Sequence, residues 1–362
     1  EQLHVLNIPS EFSYVWLPEE EKEQHMFWAT WSETTKGSTS TLSKSVVYPL
    51  DKSEPYTAAC YKAWESEESV HETKISPKET AKFFDTWKEL LKGAKKLKIR
   101  YFPEGIYYAE AYMKYGCFGI NIRRALQNDE ADILHRFAIE FERAYTRFLD
   151  LQKAEEQARE AQINLAVERV RAKALAMHKS EEIMEVVAKL KEEIMGLDIP
   201  DVIAATIFLS EGEDQIRMWD LSSLEKLEEG YQVPLDITFK LKEKDPHLYV
   251  KRVWENPENY FVEIQDKKGF KRIMAWLREY NKNEVADEVE AYLETSKIKC
   301  LYHVAKKLNN GKLVLDLLDP PTAEIETILT KMGTAFDLAY KRFEDLQKAE
   351  AQTREAQIEA AL

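Results

Sequence analysis

The chain has 362 residues, a 44% share of hydrophobic residues and a formal net charge of −14, which is enough material for two or three domains with sizeable cores. The excess of acidic residues and the lack of a basic stripe argue against a nucleic-acid-binding surface. Three widely spaced cysteines argue against a disulfide framework or a zinc site and suit a reducing, cytoplasmic compartment. No apolar run approaches the ~18 residues needed to span a bilayer.

Residues 1–128 are predicted to form an α+β domain, an antiparallel sheet flanked by helices. Alternating apolar residues predict strands at 12–17 and 25–31, and a Gly/Ser/Thr-rich segment at 36–43 predicts a loop. The remaining predicted elements are a strand at 46–51, a helix around 61–66, a strand at 71–75, an amphipathic helix over 77–91, and a hairpin of strands 106–113 and 117–122.

Residues 129–179 predict one long connector helix. This stretch contains no Gly or Pro and is rich in Ala, Glu, Gln, Lys and Arg, which are strong helix formers. Such a rod is longer than one globular domain requires, so we expect it to leave the first domain and to enter the second.

Residues 180–320 are predicted to form a second domain of the same kind, followed by an exit helix at 321–362. A helix over 181–195, with Ser180 as its N-cap, opens the second domain. The sequence LDIP at 197–200 then matches LNIP at 6–9. Because nothing comparable to the helix precedes LNIP, we expect the chain to be part of a longer protein.

An internal repeat supports this division into two domains. Residues 145–163 (YTRFLDLQKAEEQAREAQI) return as residues 340–358 (YKRFEDLQKAEAQTREAQI), and 15 of the 19 positions are identical. The offset of 195 residues is the size of a domain. The closing hairpins also correspond, and the second contains Asn310-Gly311, a pair typical of hairpin turns whose central residues take positive φ.

The repeated helices carry apolar residues at the 4,3 spacing of helices that pack against a partner helix. We expect these positions to form a parallel homodimer interface; the alternative is that each stripe packs on its own sheet. The candidate interface residues are Phe137, Phe141, Phe148, Leu151, Ile163, Val167, Val170, Phe336, Phe343 and Leu346. The heptad phase is interrupted over Lys153–Glu160, which predicts either an adjustable joint or a plain tether.

The order of elements, with a final hairpin that runs into a long exit helix, resembles a GAF domain. The segments RFLDLQKAEEQAREAQ (147–162) and ERVRAKALAMHKSEE (168–182) resemble the linkers between GAF-like sensor domains of large bacterial signalling proteins, mainly sensor histidine kinases of two-component systems and sometimes nucleotide cyclases. The resemblance implies a regulatory input region, with dimeric modules that pass a conformational signal to an output domain outside this chain.

The sequence contains no catalytic motif of a common enzyme class, so we do not expect an enzyme. His135 lies on the connector helix, where it is either a phosphorylation site or a solvated helix residue. The cyclic-nucleotide signature of some GAF domains is not legible, and Cys117 is not followed by the His that bilin-binding relatives have at their attachment site. The sequence identifies neither a cofactor nor a metal site.

The candidate ligand-binding residues are polar or aromatic groups on predicted strands. Tyr108, Glu110 and Tyr112 share one face of the penultimate strand of the first domain, and His303 lies 195 residues after Tyr108. A carboxylate among aromatic rings requires a partner if that face is buried; if the face meets water, Glu110 is a surface residue. His25 and Trp28 on the second strand are further candidates, with ordinary core positions as the alternative.

These observations predict a tandem sensor that binds a small molecule or a partner. The alternative is a dimerisation scaffold whose modules bind nothing. An apolar pocket with a few converging polar groups favours the sensor, whereas a fully packed interior favours the scaffold.

Overall fold

The chain divides into two compact units, unit 1 (Glu1–Glu155) and unit 2 (Glu156–Leu362). Both are α+β units with a six-stranded antiparallel sheet, as expected for the fold class. The computed structural model describes residues 3, 6, 8, 10–35, 38–66, 68–92, 100, 102–127, 129–199, 202–212, 215–223, 232–240, 249–295 and 298–361.

Unit 1 contains one sheet with the strand order β3-β2-β1-β6-β5-β4. Its strands are β1 (Phe12–Glu19), β2 (Gln24–Thr35), β3 (Ser38–Pro49), β4 (Val70–Ile75), β5 (Ile106–Met113) and β6 (Gly116–Ile122). Its short helices are α1 (Pro55–Glu65), α2 (Pro77–Thr86) and α3 (Lys88–Leu91).

Local sequence signals begin the short helices of unit 1. Glu54 caps α1 by accepting a hydrogen bond from the backbone N–H of Thr57 (2.8 Å), and Pro55 occupies the first helical turn. At the start of α2, the Glu79 carboxylate accepts hydrogen bonds from the backbone N–H (3.3 Å) and the hydroxyl (2.6 Å) of Ser76. These caps fix where the two helices start over the sheet.

A single helix, α4 (Glu130–Leu175), begins after β6 in unit 1 and continues into unit 2. The long helix predicted over residues 129–179 is confirmed over Glu130–Leu175, and it ends four residues earlier than predicted. Its early residues Leu134 and Ala138 are fully buried on the sheet of unit 1. Its late residues Val170 and Ala174 are fully buried in unit 2, while residues 151–158 between these sections are exposed.

Unit 2 contains a second sheet with the strand order β10-β11-β12-β7-β8-β9. Its strands are β7 (Val202–Ser210), β8 (Gln215–Ser223), β9 (Gln232–Lys240), β10 (Tyr260–Asp266), β11 (Cys300–Leu308) and β12 (Gly311–Leu317). Its own helices are α5 (Ile183–Met195), α6 (Tyr249–Glu255), α7 (Lys267–Glu279), α8 (Asn283–Thr295) and α9 (Ala323–Ala361).

Each sheet is covered on both faces. In unit 1 the aromatic residues of one face pack with α1–α3, and the aliphatic residues of the other face pack with the start of α4. In unit 2, α6–α8 cover one face, and α5, α9 and the end of α4 cover the other. The central strands β1, β5 and β6 of unit 1 and β7 and β12 of unit 2 therefore have two buried faces, with alternate residues belonging to different core clusters.

Three local predictions differ from the structure. The predicted loop at 36–43 is wrong from residue 38 onward, because β3 begins at Ser38 and pairs with β2 along its whole length; residues 36 and 37 lie outside the described part. Ser180 is not the N-cap of α5, because a 3₁₀ turn over Ser180–Glu182 precedes that helix.

The second hairpin turns at Asn309 and Asn310, and neither residue has positive φ. Gly311 belongs to β12 instead, where a Cβ would lie 1.8 Å from the carbonyl oxygen of Phe208 on β7. The glycine therefore serves the close approach of two strands, and the predicted positive-φ turn is wrong.

Among the described residues, no helix combines the length and the apolar character needed to cross a membrane.

Candidate functional site

Unit 1 contains an aromatic cavity between the sheet and helices α1–α3. The empty space between its walls, including the open mouth, is about 640 Å³, within the usual range for small-molecule sites. The lining residues are Phe12, Tyr14, Trp16, His25, Phe27, Tyr56, Thr57, Cys60, Phe83, Phe84, Trp87, Leu90, Phe102, Ile106, Tyr108, Glu110 and Asn121. Most of these side chains are Phe, Tyr or Trp.

The period of two along the strands explains why one face is so aromatic. Phe12, Tyr14 and Trp16 alternate on β1 with Val15 and Leu17, which belong to the opposite core. Alternate residues of β2 and β5 face the cavity in the same way. The helices add rings from above, with the ring centroids of Phe27 and Trp87 only 4.8 Å apart.

Glu110 is the one carboxylate among the lining residues and is 2% exposed. Its Oε1 accepts a hydrogen bond from the Tyr14 hydroxyl at 2.6 Å, and its Oε2 accepts one from the Tyr112 hydroxyl at 2.7 Å. The Cys60 thiol lies 3.3 and 3.4 Å from the two oxygens and is a third donor. Hydroxyl-to-carboxylate distances of about 2.5–2.7 Å are typical of an ionised acceptor.

A glycine allows Tyr14 to reach this carboxylate. Tyr14 on β1, Gly119 on β6 and Glu110 on β5 are neighbours in one row across the sheet. Two strand spacings are about 9.6 Å, so the tyrosine reaches Glu110 only if its ring lies over the middle strand. A Cβ on Gly119 would lie 2.2 Å from Cζ of Tyr14, which shows that the ring rests directly on the glycine.

His25 is a neutral wall residue rather than a counter-charge. It is 3% exposed, and its Nδ1 accepts a hydrogen bond from Nε1 of Trp16 at 3.1 Å. Burial lowers the pKa of His25 from 6.5 to about 4, because the charged imidazolium is poorly solvated there. The ring is therefore uncharged near neutral pH.

The donors to Glu110 also stay protonated. Burial, reinforced by the nearby Glu110 carboxylate, raises the pKa of Tyr14, Tyr112 and Cys60 well above their usual values. The same two causes raise the pKa of Cys117, which is fully buried beneath them. These four groups stay neutral, and Glu110 is left as the charged group of the lining.

The structure brings together three of the predicted ligand-binding residues of unit 1. His25, Tyr108 and Glu110 line the cavity, and Tyr112 lies behind it as a donor to Glu110. The alternative of a surface position for Glu110 is wrong, since both sides of the sheet are covered. Trp28 does not belong to the cavity: it points to the other side of β2 and is 40% exposed.

Unit 2 contains a corresponding cavity, of about 760 Å³ with its open mouth, between the sheet and α6–α8. The predicted residue His303 lines it, 1% exposed and stacked on Tyr249 with 4.2 Å between ring centroids. Nδ1 of His303 lies 2.5 Å from Oδ1 of Asp316, and Nε2 lies 2.6 Å from Oε1 of Gln265. Both ring nitrogens of His303 therefore have a side-chain oxygen within hydrogen-bonding distance.

A second carboxylate and a lysine complete this polar group. Asp220 accepts hydrogen bonds from Thr206 (2.6 Å) and Ser222 (2.7 Å), and burial followed by the charge of Asp316 raises its pKa to about 6. Lys191 from α5 is 1% exposed and donates to the carbonyl oxygens of Ile203 and Leu221. Burial lowers its pKa to about 8, while the nearby charges of Asp220 and Asp316 act in the opposite direction.

Sequence reasoning missed several of these residues. Tyr14 and Cys60 gave no signal, because a tyrosine in a strand and a cysteine in a helix are ordinary core residues. Asp220 and Asp316 did give a recognisable signal, since each is a carboxylate at an inward-facing position of an apolar strand. Lys191 likewise interrupts the apolar face of α5 and could have been identified by spacing.

Most of the predicted dimer residues pack within their own unit, which is the alternative named for these stripes. Val170 and Phe336 are fully buried, Ile163 and Phe343 are 6% exposed, and Val167 packs beside them, because α4, α5 and α9 pack together on the sheet of unit 2. Phe137 and Phe141 are half-buried against the sheet of unit 1. The remaining three are exposed: Phe148 (49%), Leu151 (54%) and Leu346 (48%).

Within the described ranges, no cluster of three or more His, Cys, Asp or Glu residues is arranged to hold a metal ion. Comparison with known proteins gives no match, either to a protein-family model or to a curated protein sequence.

Proposed function

We propose that this chain is the sensor region of a signal-transduction protein, built from two GAF-like modules. A small molecule binds in the cavity of unit 1, and the long helices carry the resulting conformational change to an output domain such as a histidine kinase or a cyclase. The chain itself performs no catalysis in this scheme.

The observation that carries the proposal is the position of the cavity relative to α4. Tyr108 and Glu110 of β5 face the cavity, whereas their neighbours Ala109 and Ala111 face the core that contains the start of α4. A ligand and the signalling helix therefore contact alternate residues of the same strand. Any displacement of β5 by the ligand acts on the surface against which α4 packs.

The continuity of α4 supports transmission along the chain. The helix is unbroken from Glu130 to Leu175, and its segment Lys153–Glu160 is helical and largely exposed. Neither flanking core dictates the packing of this segment, so two arrangements of similar free energy are available to it. A ligand shifts such an equilibrium by its differential affinity for the two states.

The scaffold alternative is less well supported, because it expects a fully packed interior. Each unit instead has a cavity on the same face of its sheet, walled by apolar side chains with a few buried polar groups. This arrangement is typical of ligand sites.

Dimerisation belongs to the same proposal, with a second copy of the chain as the partner. Phe148 and Leu151 are exposed, and Leu346, the repeat position of Leu151, is exposed as well, whereas Phe343, the repeat position of Phe148, is buried. Helix packing would bury these apolar side chains. Light scattering should show a dimer for the wild type and a monomer for Phe148→Gln/Leu151→Gln; a monomeric wild type at tens of micromolar would rule the dimer out.

Ligand binding and its transmission are tested together with four small probes: phenol, indole, benzylamine and benzoate. We expect at least one to raise the unfolding temperature of the full chain and to change amide hydrogen exchange in residues 145–162. Leu90→Phe, which adds a ring to the cavity wall, should abolish both effects. Val47→Phe, at an exposed position of β3, is the matched control and should abolish neither.

If none of the four probes binds, the scaffold interpretation is preferred. If a probe binds in the cavity but exchange in residues 145–162 stays unchanged, the cavity is a binding site without the proposed transmission.

A further inference from the structure

We infer that the cavity of unit 1 takes a small ammonium cation whose nitrogen carries methyl groups. The inference rests on the proposed ligand-binding function and specifies the class of ligand. Its basis is a buried carboxylate, Glu110, that lies among aromatic rings without a positive partner.

The hydrogen bonds of Glu110 stabilise its charge but do not neutralise it. Tyr14, Tyr112 and Cys60 are neutral donors, and all three point their hydrogens at the carboxylate oxygens. Among the described residues, no lysine or arginine forms an ion pair with Glu110. A buried carboxylate without an opposite charge is costly.

The rest of the described lining offers no positive charge. The described lining residues include no lysine or arginine, and the histidine among them, His25, is neutral at pH 7 because burial lowers its pKa to about 4. Within the described part of the lining, the Glu110 carboxylate is thus left without a positive group beside it. A cationic ligand would supply that charge.

The walls suit a cation as well. The faces and edges of several rings converge on the cavity: Phe27 and Trp87 are tilted by 58° at 4.8 Å, and Phe83 and Tyr108 are stacked at 6.1 Å. The negative face of an aromatic ring attracts a cation, most strongly where water is excluded. Arrays of such rings are the usual way to hold a methylated ammonium group.

Methylation follows from the shortage of hydrogen-bond acceptors. A primary ammonium has three N–H donors to satisfy, whereas the carboxylate oxygens of Glu110 already accept from three protein groups. The other polar lining residues are few, chiefly Thr57 and Asn121. A quaternary ammonium group has no N–H donor and a tertiary one has a single N–H donor, and both expose methyl groups to the rings.

Unit 2 provides an internal comparison. There Asp316 lies 2.5 Å from Nδ1 of His303. The ammonium group of Lys191, which is not among the described lining residues, interacts electrostatically with Asp220 and Asp316. The carboxylates of unit 2 therefore have a positive group of the protein nearby. The preference for a cation is therefore expected in unit 1 alone.

The test uses three probes of nearly equal shape: choline, its neutral carbon isostere 3,3-dimethylbutan-1-ol, and the anion 3,3-dimethylbutanoate. Isothermal titration calorimetry on the full chain at pH 7 should give a choline affinity at least about tenfold higher than that of the alcohol. The anion should show no measurable binding. Equal affinity for choline and the alcohol would overturn the inference.

Glu110→Gln assigns the effect to this carboxylate. We expect it to lower choline affinity by about tenfold or more and to leave the alcohol within about threefold of wild type, which also shows that the cavity remains folded. Trp87→Leu is a second variant and should weaken choline more than the alcohol. Undiminished choline affinity in Glu110→Gln contradicts the inference.

Failure of this inference is distinguishable from failure of the proposed function. If the alcohol, phenol or indole binds in the cavity and choline has no advantage, the ligand class is wrong and the sensor proposal stands. If none of these compounds binds, both proposals fail.

Discussion

Replacing Gly119 by alanine should disrupt the candidate site without touching any of its polar groups. The new Cβ would lie 2.2 Å from Cζ and 2.6 Å from both Cε atoms of Tyr14, far inside the contact distance of carbon atoms. Tyr14 must therefore move by about 1 Å or more, because the glycine backbone is fixed between two strands. A shift of that size breaks the 2.6 Å hydrogen bond to Glu110.

The expected loss of stability is about 2–5 kcal/mol. A hydrogen bond to a charged group contributes about 1.5–3 kcal/mol, and forced repacking costs about 1–3 kcal/mol. The lower entropy of the unfolded chain offsets about 0.4–1 kcal/mol of this. The free energy of opening should be measured by hydrogen exchange in β1 and β6, since one transition for the full chain would mix the two units.

Tyr14→Leu provides the matched background. Once the ring is gone, Gly119→Ala should cost less than about 1 kcal/mol, so the two substitutions should show a coupling of about 2 kcal/mol. Equal effects of Gly119→Ala in the two backgrounds, or an effect below about 0.5 kcal/mol in the wild type, would show that Tyr14 is not held over the glycine as described.

Three further predictions concern titration and packing. The pKa of His25 falls from 6.5 to about 4 on folding, so protonation below pH 6.5 favours the unfolded chain. As the pH drops from 6.5 towards 4, the free energy of unfolding measured in urea should fall by about 3 kcal/mol relative to that of His25→Gln. The pKa of Lys191 falls from 10.5 to about 8 on folding, so the unfolded chain holds this proton at pH values where the native state has already released it. Between pH 8 and 10.5 the free energy of unfolding of the wild type should therefore rise relative to that of Lys191→Met. If the two free energies change in parallel with pH, the prediction is contradicted. Gly311→Ala should lower the thermal stability of unit 2 strongly, because its Cβ would lie 1.8 Å from the backbone oxygen of Phe208. Gly333→Ala in α9 should cost less, because its Cβ would meet only side chains, 2.8 Å from Cγ of Lys306 and 3.3 Å from Cδ2 of Leu308, and alanine favours the helix. Similar effects of the two substitutions would refute the contact with Phe208.

The repeat and the periodicities were sufficient to predict the fold class. Alternating apolar residues identified both hairpins, and the uninterrupted helix formers of 129–179 identified α4. Each of these patterns lies within a single strand or helix, so it can be recognised without knowing which elements pack together. The wrong loop prediction at 36–43 also came from a local pattern, because Gly, Ser and Thr are typical of loops. β3 is an edge strand of the sheet, and an edge strand can carry polar side chains.

The candidate site was less predictable, because it depends on neighbours distant in sequence. The sequence placed Tyr108, Glu110 and Tyr112 on one face of β5, but it did not specify whether that face was buried. It also gave no pairing between β1 and β6, and without that pairing Tyr14 and Gly119 had no relation to Glu110. The spacing of Val170 leaves a similar ambiguity, since it is the same whether the partner helix is in the same chain or in another.

The two units show how one backbone arrangement acquires different chemistry. In unit 1 the row across β1, β6 and β5 reads Tyr14, Gly119 and Glu110; in unit 2 the equivalent row across β7, β12 and β11 reads Thr206, Val314 and Ala305. Unit 2 has one carboxylate in this row, Asp220 on β8 opposite Thr206, and a second on the next inward-facing row, Asp316 beside His303.

A residue two positions away on a strand faces the same side of the sheet, so the polar group of unit 2 still faces its cavity but meets different neighbours. There Asp316 meets the imidazole of His303. In unit 1 the described donors to the Glu110 carboxylate are two phenols and a thiol. Sheets of the same strand order thus place different groups around their buried carboxylates.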